Sequence, residues 1–415
     1  MTLDQIPGTP SQRHATTAAP GAGISRPLVL LLAVACGLIV ANNYYAQPLL
    51  PDFTRALHIS TSTAGLTVTL NQLGYAVGLV LLVPLGDLLA RRTLVTVLLS
   101  IDTLALLAAA LAPGAFTLIA MLTVAGISGC AINILIPAAA TLARDDQRGG
   151  VVGTLMTGLL LGILLARTVA GAIDEAIGWR WVYGIAALAI AVLTLALRLN
   201  LPDLPAGRGA GYPKLLASVA TLVRNEPFLR RRMAIGAIGF CCFQLLWTAL
   251  PFMLSGAPYH YSAAVIGLFG LLGAAGAGCA QPAGRLEDRG AAHAATGVLL
   301  LVIGAAWALS AGGTGSLALL IAGILVLDIG VQGVHVLNQA RMYGYPAHIR
   351  SRVTSAYMTA YFLGGSLGGA LGVALYTAAG WAGVCATGGT LTILALLLWL
   401  TDRHRSPTGQ ETPPA

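Results

Sequence analysis

The sequence predicts an all-α membrane protein, with twelve transmembrane helices in two pseudo-symmetric six-helix bundles. Three observations predict it. First, 57% of the 415 residues are hydrophobic and only 9% are charged, against roughly 25% charged in a soluble domain. Apolar runs long enough to cross a hydrocarbon core of about 30 Å recur along the chain. Second, the basic residues fall almost entirely on alternate connections between those runs, with only Arg55 and Arg180 on the others. By the positive-inside rule this makes both termini cytoplasmic. Third, motifs recur at a near-constant offset. Asp87 returns as Asp288, 201 residues on. Arg148 with Met156-Thr157 returns as Arg350 with Met358-Thr359, and Gly178-Trp179 as Gly380-Trp381, each 202 residues on. Two parallel six-helix repeats produce that pattern, with a substrate site expected near the midplane between them.

The elements follow in order. Residues 1–26 are polar, rich in Thr, Pro, Gly and Ala, and read as a disordered cytoplasmic tail. The following apolar run is too long for a signal peptide. The N-terminal bundle, 27–199, holds spans at 27–48, 62–85, 93–112, 116–142, 150–172 and 180–199. A charged turn from Val83 to Arg92 separates the second and third, and Arg144 and Arg148 separate the fourth and fifth. Gly178-Trp179 introduces the sixth. The longest polar interval, 200–232, is basic and contains Pro and Gly, and it reads as a cytoplasmic linker. The C-terminal bundle, 233–400, holds spans at 233–255, 262–283, 293–310, 316–340, 353–377 and 380–400, and 401–415 is a second cytoplasmic tail.

The net charge of +8 arises from arginines on cytoplasmic connections, so it is no sign of nucleic-acid binding. All six cysteines lie in apolar segments, which reads as small buried side chains and not a disulfide framework. No CxxC, Cys/His cluster, P-loop, HExxH or GxSxG occurs. The expectation is therefore no metal, no cofactor and no enzyme, and no direct drive by ATP.

Polar residues inside spans are costly and mark candidate sites. The tenth span carries Asp328, Gln332, His335 and Gln339 at i, i+4, i+7 and i+11, one helical stripe flanked by Asn338. Such a stripe lines a cavity or hydrogen-bonds across a bundle. Asp328 and His335 are the candidates for proton exchange, because imidazole and a desolvated carboxyl can titrate near neutral pH. Arg167 in the fifth span either faces a partner or a wet cavity, or snorkels to the outer interface. Asn43, Tyr45 and Gln47 in the first span, Asn71 and Gln72 in the second, and Gln244 and Trp247 in the seventh are further cavity candidates. Each is equally accounted for by structural hydrogen bonding. Asp102 in the third span has no evident partner. Gly158, Gly162 and Ala166, and Gly364, Gly368 and Gly372, repeat every four residues. They allow close helix crossing, either as static packing or as a sliding interface between halves.

The turn Val83-Pro84-Leu85-Gly86-Asp87-Leu88-Leu89-Ala90-Arg91-Arg92 resembles the signature loop of the major facilitator superfamily, Gly-x-Leu-(small)-Asp-Arg-x-Gly-Arg-Arg. It matches at Leu85, Gly86, Asp87, Arg91 and Arg92. A second copy matches at Gly284, Leu286, Asp288 and Arg289. The resemblance implies a cytoplasmic latch that holds the outward-open state. Asp87 would face the start of the eleventh span near Ser351, Arg352 and Val353, and Asp288 the start of the fifth near Gly149 and Gly150. Arg91, Arg92, Arg148, Arg289 and Arg352 complete the latch. Gly153, Gly162 and Gly171 align with the superfamily's antiporter signature, in which Ala166, Arg167 and Ala170 replace Gly, Pro and Gly. The string Ala41–Pro51, with Asp328–Gln339, is similar to a bacterial subgroup described as arabinose-efflux-permease-like or drug-efflux-like.

The resemblance implies a monomeric transporter of the bacterial inner membrane. Its expected activity is proton-coupled export of a sugar-like or drug-like small molecule by alternating access. Uptake of a sugar or organic acid, as a proton symporter or uniporter, is the alternative. A membrane sensor that transports nothing is the rival of a different class.

Overall fold

The structure, a computed structural model, describes residues 23–144, 146–203, 211–273 and 292–401. Fourteen α-helices follow one another among them. The first six are α1 (Arg26–Ala41), α2 (Ala46–Leu57), α3 (Thr61–Leu81), α4 (Arg91–Ala110), α5 (Ala115–Gly129) and α6 (Ile132–Leu142). Then come α7 (Arg148–Ile177), α8 (Trp179–Asn200), α9 (Tyr212–Asn225), α10 (Pro227–Ser255) and α11 (Ala263–Leu268). The last are α12 (Ala292–Ala311), α13 (Leu317–Tyr343) and α14 (Ala347–Leu400).

Ten segments among the described residues are long and apolar enough to cross a membrane. One of them, Arg352–Leu400, spans 49 residues, about 70 Å of helix at 1.5 Å per residue. That is two crossings, divided where Gly380 takes φ 64°. α11 and its 3-10 extension Phe269–Gly273 add a shorter apolar stretch, and the described residues agree with a twelve-helix architecture.

Two crossings are broken where the sequence reading had them continuous. The first crossing comprises α1 and α2, interrupted by a turn at Asn42–Tyr45, and it runs on to Leu57 instead of ending at 48. Pro48 contributes to the break, since it offers no N–H to Tyr44 O in the turn, and Pro51 leaves Gln47 O without its helical donor one step further on, inside α2. The turn is held by i→i−3 bonds, Asn43 N–H to Val40 O and Tyr44 N–H to Ala41 O. The fourth crossing is also interrupted, by a turn at Cys130–Ala131 between α5 and α6. The linker interval also holds structure: α9 lies within it, and the Tyr212 hydroxyl donates to Leu81 O.

The repeat extends to the backbone. His58 and His260 both adopt left-handed φ, at 52° and 51°. Ser60 and Ser262 both cap the next helix by accepting from the N–H three residues on. Gly178 and Gly380 both take positive φ, at 92° and 64°, a conformation that glycine adopts without steric cost.

Close packing divides into two kinds. Within each half, glycines let backbones touch. A methyl on Gly162 would collide with Gly37 O in α1, and one on Gly368 with Cys241 O in α10. The four-residue glycine repeats therefore serve static packing inside the halves, not sliding between them. Between halves, α3 meets α14 and α7 meets α11, near the end remote from the termini. The Ser366 hydroxyl donates to Thr69 O, and Thr168 to Gly267 O, both at 2.9 Å. Tyr75 stacks on Phe362 with ring centroids 4.0 Å apart. A methyl on Gly65 would collide with the Val373 side chain. These contacts seal that end.

A matched pair of substitutions checks the packing. Gly389 has open space around it, so Gly389→Ala should hold or raise the melting temperature of the detergent-solubilised protein. Gly368→Ala, which drives a methyl into backbone, should lower it by the equivalent of about 1–3 kcal/mol. Equal melting temperatures would contradict the α10–α14 contact.

Candidate functional site

The two halves meet around Arg167. Its position on α7 turns the guanidinium inward, where the residue is buried, so the snorkelling alternative does not hold. Burying a cation requires hydrogen bonds and favourable fields in place of water. Three aromatic rings provide the field: Arg167 Cζ lies 4.0 Å from the centroid of Trp247, 4.7 Å from Tyr44 and 5.5 Å from Phe243. Such cation–π contacts strengthen when desolvated. Arg167 Nε donates to Gln47 Oε1 at 2.5 Å, and Gln47 Nε2 donates to Gln244 Oε1 at 3.0 Å.

The polarity of this chain is forced. A guanidinium only donates, so it must meet the oxygen of Gln47. The amide nitrogen of Gln47 then faces the oxygen of Gln244, which leaves Gln244 Nε2 as a donor. Gln244 Nε2 and Arg167 Nη2 are both buried without partners. On the other side of the indole, Trp247 Nε1 donates to Asp328 Oδ1 at 3.3 Å. Among the described residues no carboxylate pairs directly with Arg167; Trp247 links it to Asp328. A cavity of about 240 Å³ borders Arg167, Phe243, Asp328 and Gln332, with Thr157, Leu160 and Gly270 in its wall.

The structure thus brings together Gln47, Arg167, Gln244, Trp247, Asp328 and Gln332 from α2, α7, α10 and α13. The other predicted residues lie elsewhere. The stripe on α13 divides along its length. His335 Nδ1 lies 3.1 Å from the Tyr357 hydroxyl, with its ring 4.3 Å from that of Tyr361. Gln339 Nε2 approaches Met358 Sδ at 3.5 Å. Asn338 accepts from Arg232 at 3.4 Å. Arg232, read from sequence as a loop cation, is buried and also reaches Thr296. Asn71 donates to Leu122 O and joins α3 to α5. Gln72 is fully buried, with both amide atoms unpartnered. Asn43 is buried in the turn after α1 with its oxygen unpartnered. Tyr45 instead lines an apolar groove between α1 and α7, beside Gly158 and Gly162.

Sequence reasoning missed Tyr44 and Phe243. The signal was available for Phe243, which stands four residues before Trp247 and so on the same helix face. It also missed the partner of Asp102. That carboxylate is fully buried on α4 and accepts from Asn42 Nδ2 at 2.8 Å.

Of the latch residues, Asp288 and Arg289 lie outside the described residues, and Asp87 is described in its backbone only. The loop that carries Asp87 is a 3-10 turn, Val83–Asp87. It shares a cavity of about 90 Å³ with Arg91, with Arg352 and Ser355 of α14, and with Val219 of α9. Arg91 donates to Gly86 O and Thr141, Arg148 to Ala140 O, and Arg92 pairs with Asp203 at 3.7 Å.

Comparison with known proteins agrees with this architecture. The family model described as Major Facilitator Superfamily matches residues 32–369. An uncharacterized transporter of Escherichia coli (strain K12), YgaY, is 45% identical over 93% of this chain and 98% of its own length. SCO4007 of Streptomyces coelicolor, also named as a transporter, is 34% identical over 92% of this chain and 89% of its own. Among solved structures, a bacterial homologue of the human lysosomal transporter Spinster, in an inward-facing and unoccupied conformation, superposes with TM-score 0.73. It has 15% identity and covers 92% of this chain and 100% of that one. The nucleoside transporter NupG, solved as a point mutant, gives 0.75 at 13% identity, over 91% and 100% of the two chains. With a family model over most of its length, a relative at 45% identity and a shared fold, this chain belongs to the major facilitator superfamily, whose members are multi-pass membrane transporters and not enzymes.

Proposed function

We propose that this transporter is a monomeric, secondary active exporter of the inner membrane, moving a sugar-like or drug-like organic molecule in exchange for protons. One observation carries the reading. Side chains from both halves (Gln47 and Arg167 from one, Gln244, Trp247 and Asp328 from the other) meet in a buried seam beside a cavity, while the end remote from the termini is sealed. Taking both termini as cytoplasmic, on the distribution of arginines, the sealed end is the outer one and the site loads from inside. Rocking of the halves then exposes the same site outward. Arg167 and Gln244 hold oxygens of the substrate and Asp328 carries the proton. Trp247, in contact with both Arg167 and Asp328, makes the affinity for one depend on the other. The latch at Asp87 would hold the opposite state.

A second reading, proton-coupled uptake of an organic acid, has one observation in its favour. The open ends of the network, Gln244 Nε2 and Arg167 Nη2, are donors beside a cation with no ion-pair partner among the described residues. An anion there and a proton on Asp328 bind cooperatively, since each relieves the charge that opposes the other, and that is symport. Adding substrate to weakly buffered purified protein separates the two: an exchanger releases protons, a symporter takes them up.

Three outcomes are expected of the proposed function. With a ligand found by thermal-shift screening, Asp328→Asn should abolish pH-gradient-driven flux in proteoliposomes and leave expression intact; unchanged coupling would remove Asp328 from the mechanism. Arg167→Ala should weaken binding of an anionic or hydroxylated ligand roughly ten- to hundredfold, the range of a hydrogen bond to a charged group. Equal affinity would assign Arg167 to structure. In a background with the native cysteines replaced, Gly65→Cys with Val373→Cys should cross-link under oxidation and arrest transport reversibly. Full activity after complete cross-linking would mean that this end does not open.

A further inference from the structure

Asp102 has no part in the function proposed above, yet it is the kind of group a membrane helix does not carry idly. It is fully buried. Among the described residues no cation pairs with it, and its one bond is the donation from Asn42 Nδ2 to its Oδ2. The titratable groups facing it are few. Tyr45 closes the same turn, just ahead of α2. Cys36 is buried on α1, nearly two turns before Asn42. Neither α5, nor α6, nor the Gly184–Leu197 stretch of α8, which pack against α4, carries any titratable side chain. An ionised carboxylate would sit there uncompensated, at a cost of several kcal/mol.

Two atoms in this pair have no partner: Asp102 Oδ1 and Asn42 Oδ1. Both are acceptors when the carboxyl is ionised, and one proton on Asp102 Oδ1 would satisfy both. The carboxyl and the amide then close a ring of two hydrogen bonds, Asn42 N–H to Asp102 and Asp102 O–H to Asn42. The location gives the ring its purpose. Asn42 opens the turn between α1 and α2, and that turn loses a helical hydrogen bond at Pro48, which has no N–H for Tyr44 O. Tyr44, two residues on, covers Arg167, and Gln47 accepts from it. We propose that Asp102 is a resident protonated carboxyl, closed in a ring with Asn42, and that it is a positioning residue which anchors the α1–α2 turn and so delivers Tyr44 and Gln47 to Arg167.

The full-length protein in lipid nanodiscs tests this without a substrate. Subtracting the infrared spectrum of Asp102→Asn from that of the wild type at pH 7 should leave the C=O band of a protonated carboxyl; a carboxylate band in its place overturns the proposal. Asp102→Asn keeps a neutral amide ring, so its melting temperature and its pH profile should match the wild type. Asp102→Ala, which leaves Asn42 unpartnered, should melt several degrees lower. Asn42→Asp places two carboxyls together and should lose stability as pH rises. Adding Asp102→Asn to Asn42→Asp rebuilds the ring in reverse and should restore both stability and its flat pH profile. If Asp102→Asn is as damaging as Asp102→Ala, or if the double variant fails to rescue, the ring is not what holds the turn.

Discussion

The buried guanidinium of Arg167 is the constraint on which the centre of this protein depends. A cation in hydrocarbon must be given back, by protein groups, much of what water supplied. Here that is done by one amide oxygen and three aromatic faces drawn from both halves. Each of these must be brought to α7 by its own element. Gln47 and Tyr44 arrive because α1 ends early and the prolines reorient the chain into α2. Phe243, Gln244 and Trp247 arrive because α10 lies beside the seam with one face of adjacent side chains. The site is therefore not a pocket cut into one bundle. It exists only when the bundles are together.

The seam and the bundles are built by different means. Inside each half, glycines bring helix backbones into direct contact, so α1 with α7, and α10 with α14, form stiff pairs. Packing of this density does not deform continuously. Across the seam, contacts gather toward one end: α3 on α14, α7 on α11, with two hydroxyl-to-carbonyl bonds and one aromatic stack. Stiff halves joined at one end are the mechanical requirement for rocking. The Asn42–Asp102 pair sits at the junction of these two regimes, where the first crossing gives up helical bonding to reach the site.

Much of the fold was legible in the chain, because the bilayer imposes simple rules. Span length and the repeat offset of 202 residues each follow from local chemistry repeated along the sequence. Gly178-Trp179 and Gly380-Trp381 are an example: glycine is needed for positive φ at the same place in both halves, so the sequence repeat is also a conformational one. The breaks at Asn42–Tyr45 and Cys130–Ala131 were harder to see. Proline identifies where helical bonds are lost, but whether the chain kinks or turns there depends on which neighbours replace them. The α9 helix in the linker was missed because a basic interval with Pro and Gly resembles a simple tether.

The sequence by itself determined the number of crossings, their duplication, most of the polar residues within them and the family they belong to, since each rests on hydropathy, spacing or motif. Tertiary structure decided which of those polar residues share a site. A helix pattern gives the face of a side chain but not its depth or partner. So one stripe on α13 was divided between the seam at Asp328 and a separate cluster at His335, Asn338 and Gln339. Tyr45 went to an apolar groove while its neighbour Tyr44 met Arg167, and Asp102 found Asn42, 60 residues away. Those assignments depend on how helices distant in sequence pack against each other, and no local pattern in the chain records that.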